Sequence, residues 1–352
     1  MTPLEGLLVL DATRMLPGAV LARMLLELGA RLIKIEEPGS GDPLRGAPPL
    51  VDGIGAGFAD FFRGAESLRL DLRVEADAAR LRKLARSADV VVESFRPGAM
   101  EAWGVGPDRL LAANPSLVVC RLSGFGAQGD DARRVGHDLN VVASSGLLAM
   151  LGSLDIPRVQ IADCTCGMLA CAAVLGAMLG RARTGRGAIV DQPLSSGPAP
   201  LLAWAAADAA AGGGGMTDTG GVLGGGCAAY GVYRCSDGLE LVVAALEPKL
   251  WNGIVRMLEL EGLADRGLQT GIPGRETIRT VAERFATRPR EEWLAEGARR
   301  ELPVSAVADL DRAAASRPLL PSLGRRPARP SPALGQHDGA IWREFSLDQP
   351  TD

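Results

Sequence analysis

Residues 7–35 read LLVLDATRMLPGAVLARMLLELGARLIKI, and this stretch decides the fold. The apolar runs at 7–11 and 31–35 each predict a short strand. Between them, residues 17–28 carry apolar side chains at helical spacing, and Gly29 follows in the position of a helix cap. A strand, a helix and a second strand in this order predict one unit of a parallel sheet.

The same alternation continues to about residue 191. Further helices are predicted over 74–86, 107–113, 143–151 and 168–181, and further strands over 89–93, 117–120 and 189–191. Strands that are apolar throughout are buried on both faces, so helices are expected on both sides of the sheet. The predicted class is therefore α/β. Ligands of such sheets bind beyond the carboxyl ends of the strands.

The amino-acid composition changes near residue 196. Alanines at 205–211 and clustered glycines up to residue 226 predict a linker over 196–226. Beyond it, Ser236-Asp237-Gly238 separates two strand patterns and predicts a hairpin. With helices predicted near 249–259, 276–286 and 290–296, these elements predict a small α+β domain over 227–302. The large domain then combines 1–195 with 315–352, and 303–314 is the return linker.

The composition narrows the classes of function. The 352 residues carry a net charge of -4, so neither a nucleic-acid nor a membrane-surface partner is expected. The apolar segment 168–179 is too short to span a bilayer and predicts a buried helix. Six cysteines without the spacing of a secreted framework, and no recognisable signal peptide, predict a reducing, cytoplasmic compartment. Cys164 and Cys166 have no second pair at zinc spacing, so no metal site is expected.

The chain has two histidines, and His137 lies in the sequence GHDLN at 136–140. Imidazole is the side chain whose unperturbed pKa suits base chemistry near neutral pH. Asp163 follows in IADCTCG at 161–167. A histidine and a carboxylate on opposite sides of a carbon could remove a proton from one face and return it to the other. A hydrogen-bonded structural role for His137 is the alternative interpretation.

Short motifs along the chain form a recognisable series. They are PLEG at 3–6, LPG at 16–18, LELGA at 26–30, IKIEEPG at 33–39, LDLR at 70–73, FRPG at 95–98, LSGFG at 122–126, GHDLN at 136–140, TGRG at 184–187, VYRCSDG at 232–238 and LEP at 246–248. In order and spacing they resemble the family III CoA-transferases (the CaiB/BaiF superfamily), and most of all the α-methylacyl-CoA racemase branch. The resemblance covers nearly the whole chain.

This resemblance implies a Rossmann-like large domain, a small inserted domain and a homodimer of interlocked subunits. It also implies an acyl-CoA thioester as the substrate, with coenzyme A entering as part of that substrate and no prosthetic group. For CoA contacts it nominates six positions: Leu70, Arg73, Ser94, Arg96, Gly136 and Asp138.

The resemblance also assigns candidate catalytic residues. Asp163 falls where the transferases carry the carboxylate that attacks the thioester, and where the racemases carry one of two acid/base groups. His137 favours the racemases, since the transferase pattern has tyrosine there. Glu247 matches a glutamate that the racemases bring from the small domain, although a carboxylate ahead of Pro248 is also typical of a helix start.

Three functions stay open. They are epimerisation of 2-methylacyl-CoA thioesters by 1,1-proton transfer through an enolate, CoA transfer between carboxylic acids through an anhydride and thioester on Asp163, and acyl-CoA binding with weak catalysis. For the first, backbone amides near 164–167 are expected to hold the enolate oxygen, and burial is expected to raise the pKa of Asp163. The chain departs from the family pattern at Glu37, where a basic residue is usual, at Ala102, where transferases carry arginine, and at Val141, where tyrosine is common.

Overall fold

A computed structural model describes residues 2–152, 154–309, 319–320, 323–325 and 327–347. The chain divides into two compact units, one formed by residues 1–200 with 316–352 and the other by residues 201–315. Much of the predicted return linker, and parts of the predicted C-terminal segment of the large domain, lie outside the described residues.

The first unit is built on a six-stranded sheet, with a separate two-stranded hairpin, β3–β4. Its strands are β1 (Leu8–Ala12), β2 (Arg31–Glu36), β3 (Leu50–Val51), β4 (Ile54–Gly55), β5 (Glu66–Arg69), β6 (Val90–Glu93), β7 (Val118–Ser123) and β8 (Ala188–Pro193). The order in the large sheet is β5-β2-β1-β6-β7-β8. Every neighbouring pair in that sheet is parallel, which confirms the predicted α/β class.

Helices lie along the same unit. They are α1 (Gly18–Glu27), α2 (Ala56–Phe61), α3 (Glu75–Ala85), α4 (Ala99–Ala102), α5 (Pro107–Ala113), α6 (Asp138–Ser144), α7 (Leu147–Met150), α8 (Ile161–Thr184) and, near the C-terminus, Asp338–Glu344. Buried side chains such as Leu10 and Val91 pack with Leu81 of α3 and Leu110 of α5 in one apolar core. Burying this apolar surface is the main force that holds the unit together.

Helices α1 and α8 approach each other closely. A Cβ added to Gly167 of α8 would lie 2.7 Å from both the carbonyl oxygen of Pro17 and the Cβ of Val20. Glycine at this position therefore lets the two backbones meet, and the contact fixes the start of α8 relative to α1.

Three of the differences from the predictions bear on the candidate site. Strand β5 was not expected, because Glu66-Ser67-Leu68-Arg69 lacks an apolar run; it is an edge strand, which needs less burial. The helix predicted over 143–151 is wrong: α6 begins at Asp138 and ends before Gly146, whose φ of +87° starts a separate turn. Helix α8 begins seven residues before the predicted start, so Asp163 lies in its first turn.

The extra length of α8 corrects a second expectation. Among the described helices, α8 is the one whose length and composition would allow it to cross a bilayer, with a mean hydropathy of 1.8 over its most apolar window. The expectation that the apolar segment at 168–179 is too short to span a bilayer is therefore wrong, because it is part of this longer helix. Such a helix is weak evidence for a membrane, since core helices meet the same criterion.

The second unit has an antiparallel sheet in the order β11-β10-β9, formed by β9 (Tyr230–Arg234), β10 (Glu240–Ala244) and β11 (Val304–Ala306). Gly238, at a φ of +76°, closes the predicted hairpin between β9 and β10. Its helices are α9 (Ala199–Ala210), which begins at the boundary of the units, α10 (Pro248–Met257), α11 (Gly271–Phe285) and α12 (Arg290–Arg299). Trp251, Phe285 and Trp293 are central to its core. Helix α9 occupies the first half of the predicted linker, because alanine is the strongest helix former.

Candidate functional site

The candidate acid/base residues lie at two neighbouring helix starts. Asp163 is half-buried in the first turn of α8, and His137 immediately precedes α6. The backbone amide of Asp163 donates a hydrogen bond to Oδ1 of Asp138, at 3.0 Å. Asp138 is the residue next to His137, so this hydrogen bond ties the two helix starts together.

The His137 turn has its own support. The His137 backbone amide donates to Oδ1 of Asn140 at 3.0 Å, and the His137 carbonyl accepts the first hydrogen bonds of α6. The His137 side chain is exposed. This geometry fixes the backbone of the histidine and leaves its imidazole accessible from solvent.

Asp163 is electrostatically unusual. Burial raises the pKa of this carboxyl to about 6, the negative charge of Asp138 adds to the rise, and the neighbouring His137 opposes it. The expected direction of this pKa shift is confirmed. A carboxyl with a pKa near 6 can both hold and release a proton near neutral pH.

The expected oxyanion donors are not free. Residues 164–167 lie inside α8, where the amide of Cys164 already donates to the carbonyl of Gln160. The prediction of donors at 164–167 is therefore wrong, because it rested on a helix that began later. The amides of Ile161 and Ala162 precede the first intrahelical hydrogen bond, at the positive end of the helix dipole.

Glu247 belongs to the second unit. It directly precedes α10, and its carbonyl accepts from the amides of Leu250 and Trp251. Its side chain is exposed and makes no capping hydrogen bond. The structure thus confirms a helix-start position for Glu247, while its action toward His137 stays a prediction.

A cavity of about 160 Å³ opens in the first unit at the carboxyl ends of β1, β2 and β5. It is lined by Ala12, Thr13, Arg14, Ile35, Glu36, Glu37, Gly41, Asp42, Leu70, Asp71, Leu72, Arg73, Phe95 and Trp103. The rings of Phe95 and Trp103 meet edge to face with their centroids 4.9 Å apart. The cavity therefore combines an aromatic wall with a charged rim.

The nominated CoA residues divide into two groups. Leu70 and Arg73 line this cavity, and Ser94 adjoins it, its Oγ accepting from the Arg14 amide at 2.9 Å. Arg96 is exposed two residues beyond Ser94.

Gly136 and Asp138 lie instead beside His137. A Cβ on Gly136 would come within 3.1 Å of the Phe125 ring, so a larger residue would displace that ring.

The rim also contains residues that sequence reasoning missed. Arg14 follows β1 and pairs with Glu37 at 2.9 Å, and Phe95 and Trp103 supply the aromatic wall. The position of Arg14 after a predicted strand was an available signal. The chain also departs from the family pattern at Ala102, which is exposed, and at Val141, which is buried. Neither residue is among those that line the cavity.

Within the part of the chain that the structure describes, no cluster of three or more histidine, cysteine, aspartate or glutamate side chains could hold a metal ion. The six cysteines are free thiols. Burial raises the pKa of Cys164, which does not favour a reactive thiolate beside Asp163.

Fold and site together define an α/β protein with a strand-end cavity and two candidate acid/base residues at neighbouring helix starts. Residues 4–322 match the family described as CoA-transferase family III. The chain belongs to this family, whose members act on CoA thioesters.

Individual relatives agree with this assignment and differ in activity. The chain is 33% identical over 297 residues to human alpha-methylacyl-CoA racemase, covering 82% of this chain and 74% of the relative. It is 30% identical to mouse succinyl-CoA:glutarate CoA-transferase, covering 84% and 69%. A CaiB/BaiF family protein from Brucella suis has a similar structure, with a TM-score of 0.81, 27% identity, and coverage of 98% and 99%.

Proposed function

We propose that the protein epimerises 2-methylacyl-CoA thioesters by 1,1-proton transfer. The observation that carries this proposal is the pairing of His137 with Asp163 at two helix starts that the Asp138 hydrogen bond joins. Burial raises the pKa of Asp163 to about 6, and imidazole is the side chain whose unperturbed pKa suits base chemistry near neutral pH, so the two residue types can exchange one proton.

The reaction is a transfer between two faces of one carbon. Neutral His137 takes the α-proton from one epimer, and protonated Asp163 supplies a proton to the opposite face. For the other epimer the two roles reverse. Each group is expected to contribute roughly 10²–10⁴-fold to the rate.

Negative charge develops on the thioester oxygen when the α-proton leaves. In this proposal the first-turn amides of α8, at Ile161 and Ala162, face that charge with the positive end of a 24-residue helix. Glu247 is proposed as a further acid/base residue of the same reaction.

The proposed CoA position follows the strand ends. The nucleotide end occupies the cavity at Leu70 and Arg73, and the chain passes Ser94 and Arg96. Gly136 and Asp138 then lie at the thioester end, beside His137. Arginine forks suit phosphate oxygens, which supports Arg96 as a contact of the CoA diphosphate, while Arg73 lies at the nucleotide end of the cavity.

CoA transfer is the second candidate. Asp163 is partly accessible, as a nucleophile must be, and several relatives are CoA-transferases. In that reaction the ionised Asp163 attacks the thioester carbonyl, CoA leaves as the thiolate, and an acyl-aspartyl anhydride forms. His137 is not required for this step.

Paired variants separate these candidates. His137→Ala and Asp163→Asn are both expected to lose epimerisation of a 2-methylacyl-CoA by at least 100-fold. A transferase keeps activity in His137→Ala, loses it in Asp163→Asn, and yields a hydroxylamine-sensitive adduct on Asp163. His337→Asn is the matched control, because His337 accepts a hydrogen bond from the Ser67 amide and asparagine keeps an acceptor. A protein that binds the ester with neither activity is a catalytically weak homologue.

The homodimer is part of the same proposal. Helix α8 buries only about a third of its most apolar window, and Leu179 on it is 65% exposed. A second copy, interlocked with the first, is the proposed cover for such apolar surface. Light scattering is expected to give twice the chain mass. The free thiols support a reducing, cytoplasmic compartment as the proposed location.

A further inference from the structure

Glu37 directly follows β2 and lies on the rim of the strand-end cavity. Its two carboxylate oxygens face different arginines: Oε2 accepts from Arg14 at 2.9 Å, and Oε1 accepts from Arg73. The Glu37 side chain is 26% exposed, so a ligand entering the cavity can reach it.

Arg73 has a second carboxylate partner. Its Nε donates to Oδ1 of Asp71 at 2.7 Å, and its Nη2 donates to Oδ2 at 2.9 Å. These hydrogen bonds hold the pKa of Asp71 below its usual value, so Asp71 stays ionised. These four charges therefore cancel, Arg14 and Arg73 against Glu37 and Asp71. The two other carboxylates that line the cavity, Glu36 and Asp42, pair with Arg45 and Lys34.

A balanced rim is a poor receptor for an added phosphate. A phosphate dianion that binds to Arg73 meets the carboxylates of Glu37 and Asp71 on the same guanidinium, and their negative charges repel it. A hydroxyl group meets no such conflict, because it donates a hydrogen bond to a carboxylate oxygen.

The position of Glu37 strengthens this distinction. In doubly wound sheets that bind dinucleotides, an acidic residue near the end of the second strand accepts a hydrogen bond from the ribose 2′-hydroxyl, whereas an arginine nearby accommodates a ribose 2′-phosphate. Beside Glu37, the aromatic wall of Phe95 and Trp103 offers a surface on which a nucleobase can stack. The cavity thus offers a carboxylate for free ribose hydroxyls and an aromatic surface for the adenine of an adenosine.

We infer that Glu37 is a specificity-determining residue that makes this cavity accept a nucleotide end with an unphosphorylated ribose. The inference rests on the proposed function and deepens it: 3′-dephospho-CoA thioesters bind at least as tightly as CoA thioesters. The ligand class is an adenosine diphosphate joined to a pantetheine arm, with a free ribose 3′-hydroxyl.

Calorimetry with the full chain tests this inference. Free CoA and 3′-dephospho-CoA are titrated separately into wild type and Glu37→Gln. Wild type is expected to bind 3′-dephospho-CoA with a Kd equal to or below that for CoA. Glu37→Gln removes the carboxylate charge that faces both arginines. It is expected to lower the Kd for CoA by about fivefold relative to the Kd for 3′-dephospho-CoA, which is equivalent to about 1 kcal/mol for an exposed charge pair.

Glu344→Gln is the matched control, since Glu344 also pairs with an arginine, Arg31, at the opposite end of β2. It is expected to leave the ratio unchanged. Wild type that binds CoA at least tenfold more tightly than 3′-dephospho-CoA overturns the inference and leaves the proposed function intact. Wild type that binds neither nucleotide overturns both. The wild-type ratio decides the question even if Glu37→Gln does not fold.

Discussion

The Asp138 carboxylate accepts a hydrogen bond from the Asp163 backbone amide at 3.0 Å, and its charge also raises the pKa of the Asp163 side chain. One residue therefore both fixes the start of α8 and adds to the effect of burial, which is the larger cause of the raised pKa of Asp163. Its neighbour His137 presents the other half of the pair.

Asp138→Asn separates the two effects of Asp138. Asparagine keeps an oxygen for the Asp163 amide but removes the negative charge, so the pKa of Asp163 is expected to fall below about 6. Asp138→Ala also removes the acceptor and is expected to cost about 1 kcal/mol of stability. The acid limb of the pH–rate profile and chemical denaturation measure these effects. An acid limb that does not move in Asp138→Asn contradicts the assignment.

The pH–rate profile distinguishes the two reactions. Epimerisation needs one proton shared between His137 and Asp163, so kcat/KM is expected to be bell-shaped and to have the same shape in both directions. CoA transfer needs only ionised Asp163, so kcat/KM rises through the Asp163 pKa of about 6 and then levels off. Initial rates between pH 4.5 and 9 provide the test. A profile without any inflection between pH 5 and 7 would rule out Asp163 in either role.

Glu93 predicts a pH-dependent stability. This carboxyl ends β6, is almost fully buried, and accepts from the Phe95 amide at 2.7 Å; burial raises its pKa from 4.5 to about 7. The folded chain then binds this proton more tightly than the unfolded chain, so stability falls as pH rises from about 4.5 to 7. The full effect is about 3 kcal/mol, at about 1.36 kcal/mol per pKa unit.

Glu93→Gln is expected to remove this slope and to be relatively more stable at pH 8 than at pH 5, measured by urea denaturation. Glu101→Gln is the matched control, because Glu101 pairs with the same Arg121 from an exposed position. Equal slopes in wild type and Glu93→Gln would show that another group carries the dependence.

The contact between α1 and α8 predicts a contrast between two glycines of one helix. Gly167→Ala places a methyl group against the carbonyl of Pro17 and is expected to destabilise the fold by about 1–3 kcal/mol. Gly176 has open space at its Cβ position, so Gly176→Ala is expected to stabilise by up to about 1 kcal/mol through helix propensity. Thermal unfolding of the two variants measures the difference, and equal effects would argue against the close approach.

The sequence was most informative where the chain is uniformly apolar. The apolar residues of β1, α1 and β2 predicted a parallel strand–helix–strand unit, because buried elements place apolar residues at a regular spacing in the sequence. Strand β5 was not predicted, because this edge strand includes Glu66 and Arg69 and has no run of apolar residues. The start of α8 was predicted too late for a related reason, since Asp163 and Thr165 interrupt the apolar pattern of its first turns.

The candidate site, too, could be predicted only in part. His137 and Asp163 were predicted through rare residue types and motif order, and the structure places them at linked helix starts. The role of Glu37 could not be predicted, because the distances that join it to Arg14 and Arg73 depend on loops from separate strands. Charge balance at a rim is a property of the folded arrangement.

The central claim is tested most directly by incubating the protein with one epimer of a 2-methylacyl-CoA in D₂O and analysing both epimers by mass spectrometry and chiral separation. Proton transfer between His137 and Asp163 predicts that the opposite epimer appears and carries deuterium at the α-carbon from the first turnovers. A bound ester whose α-carbon keeps its hydrogen and its configuration would contradict the account.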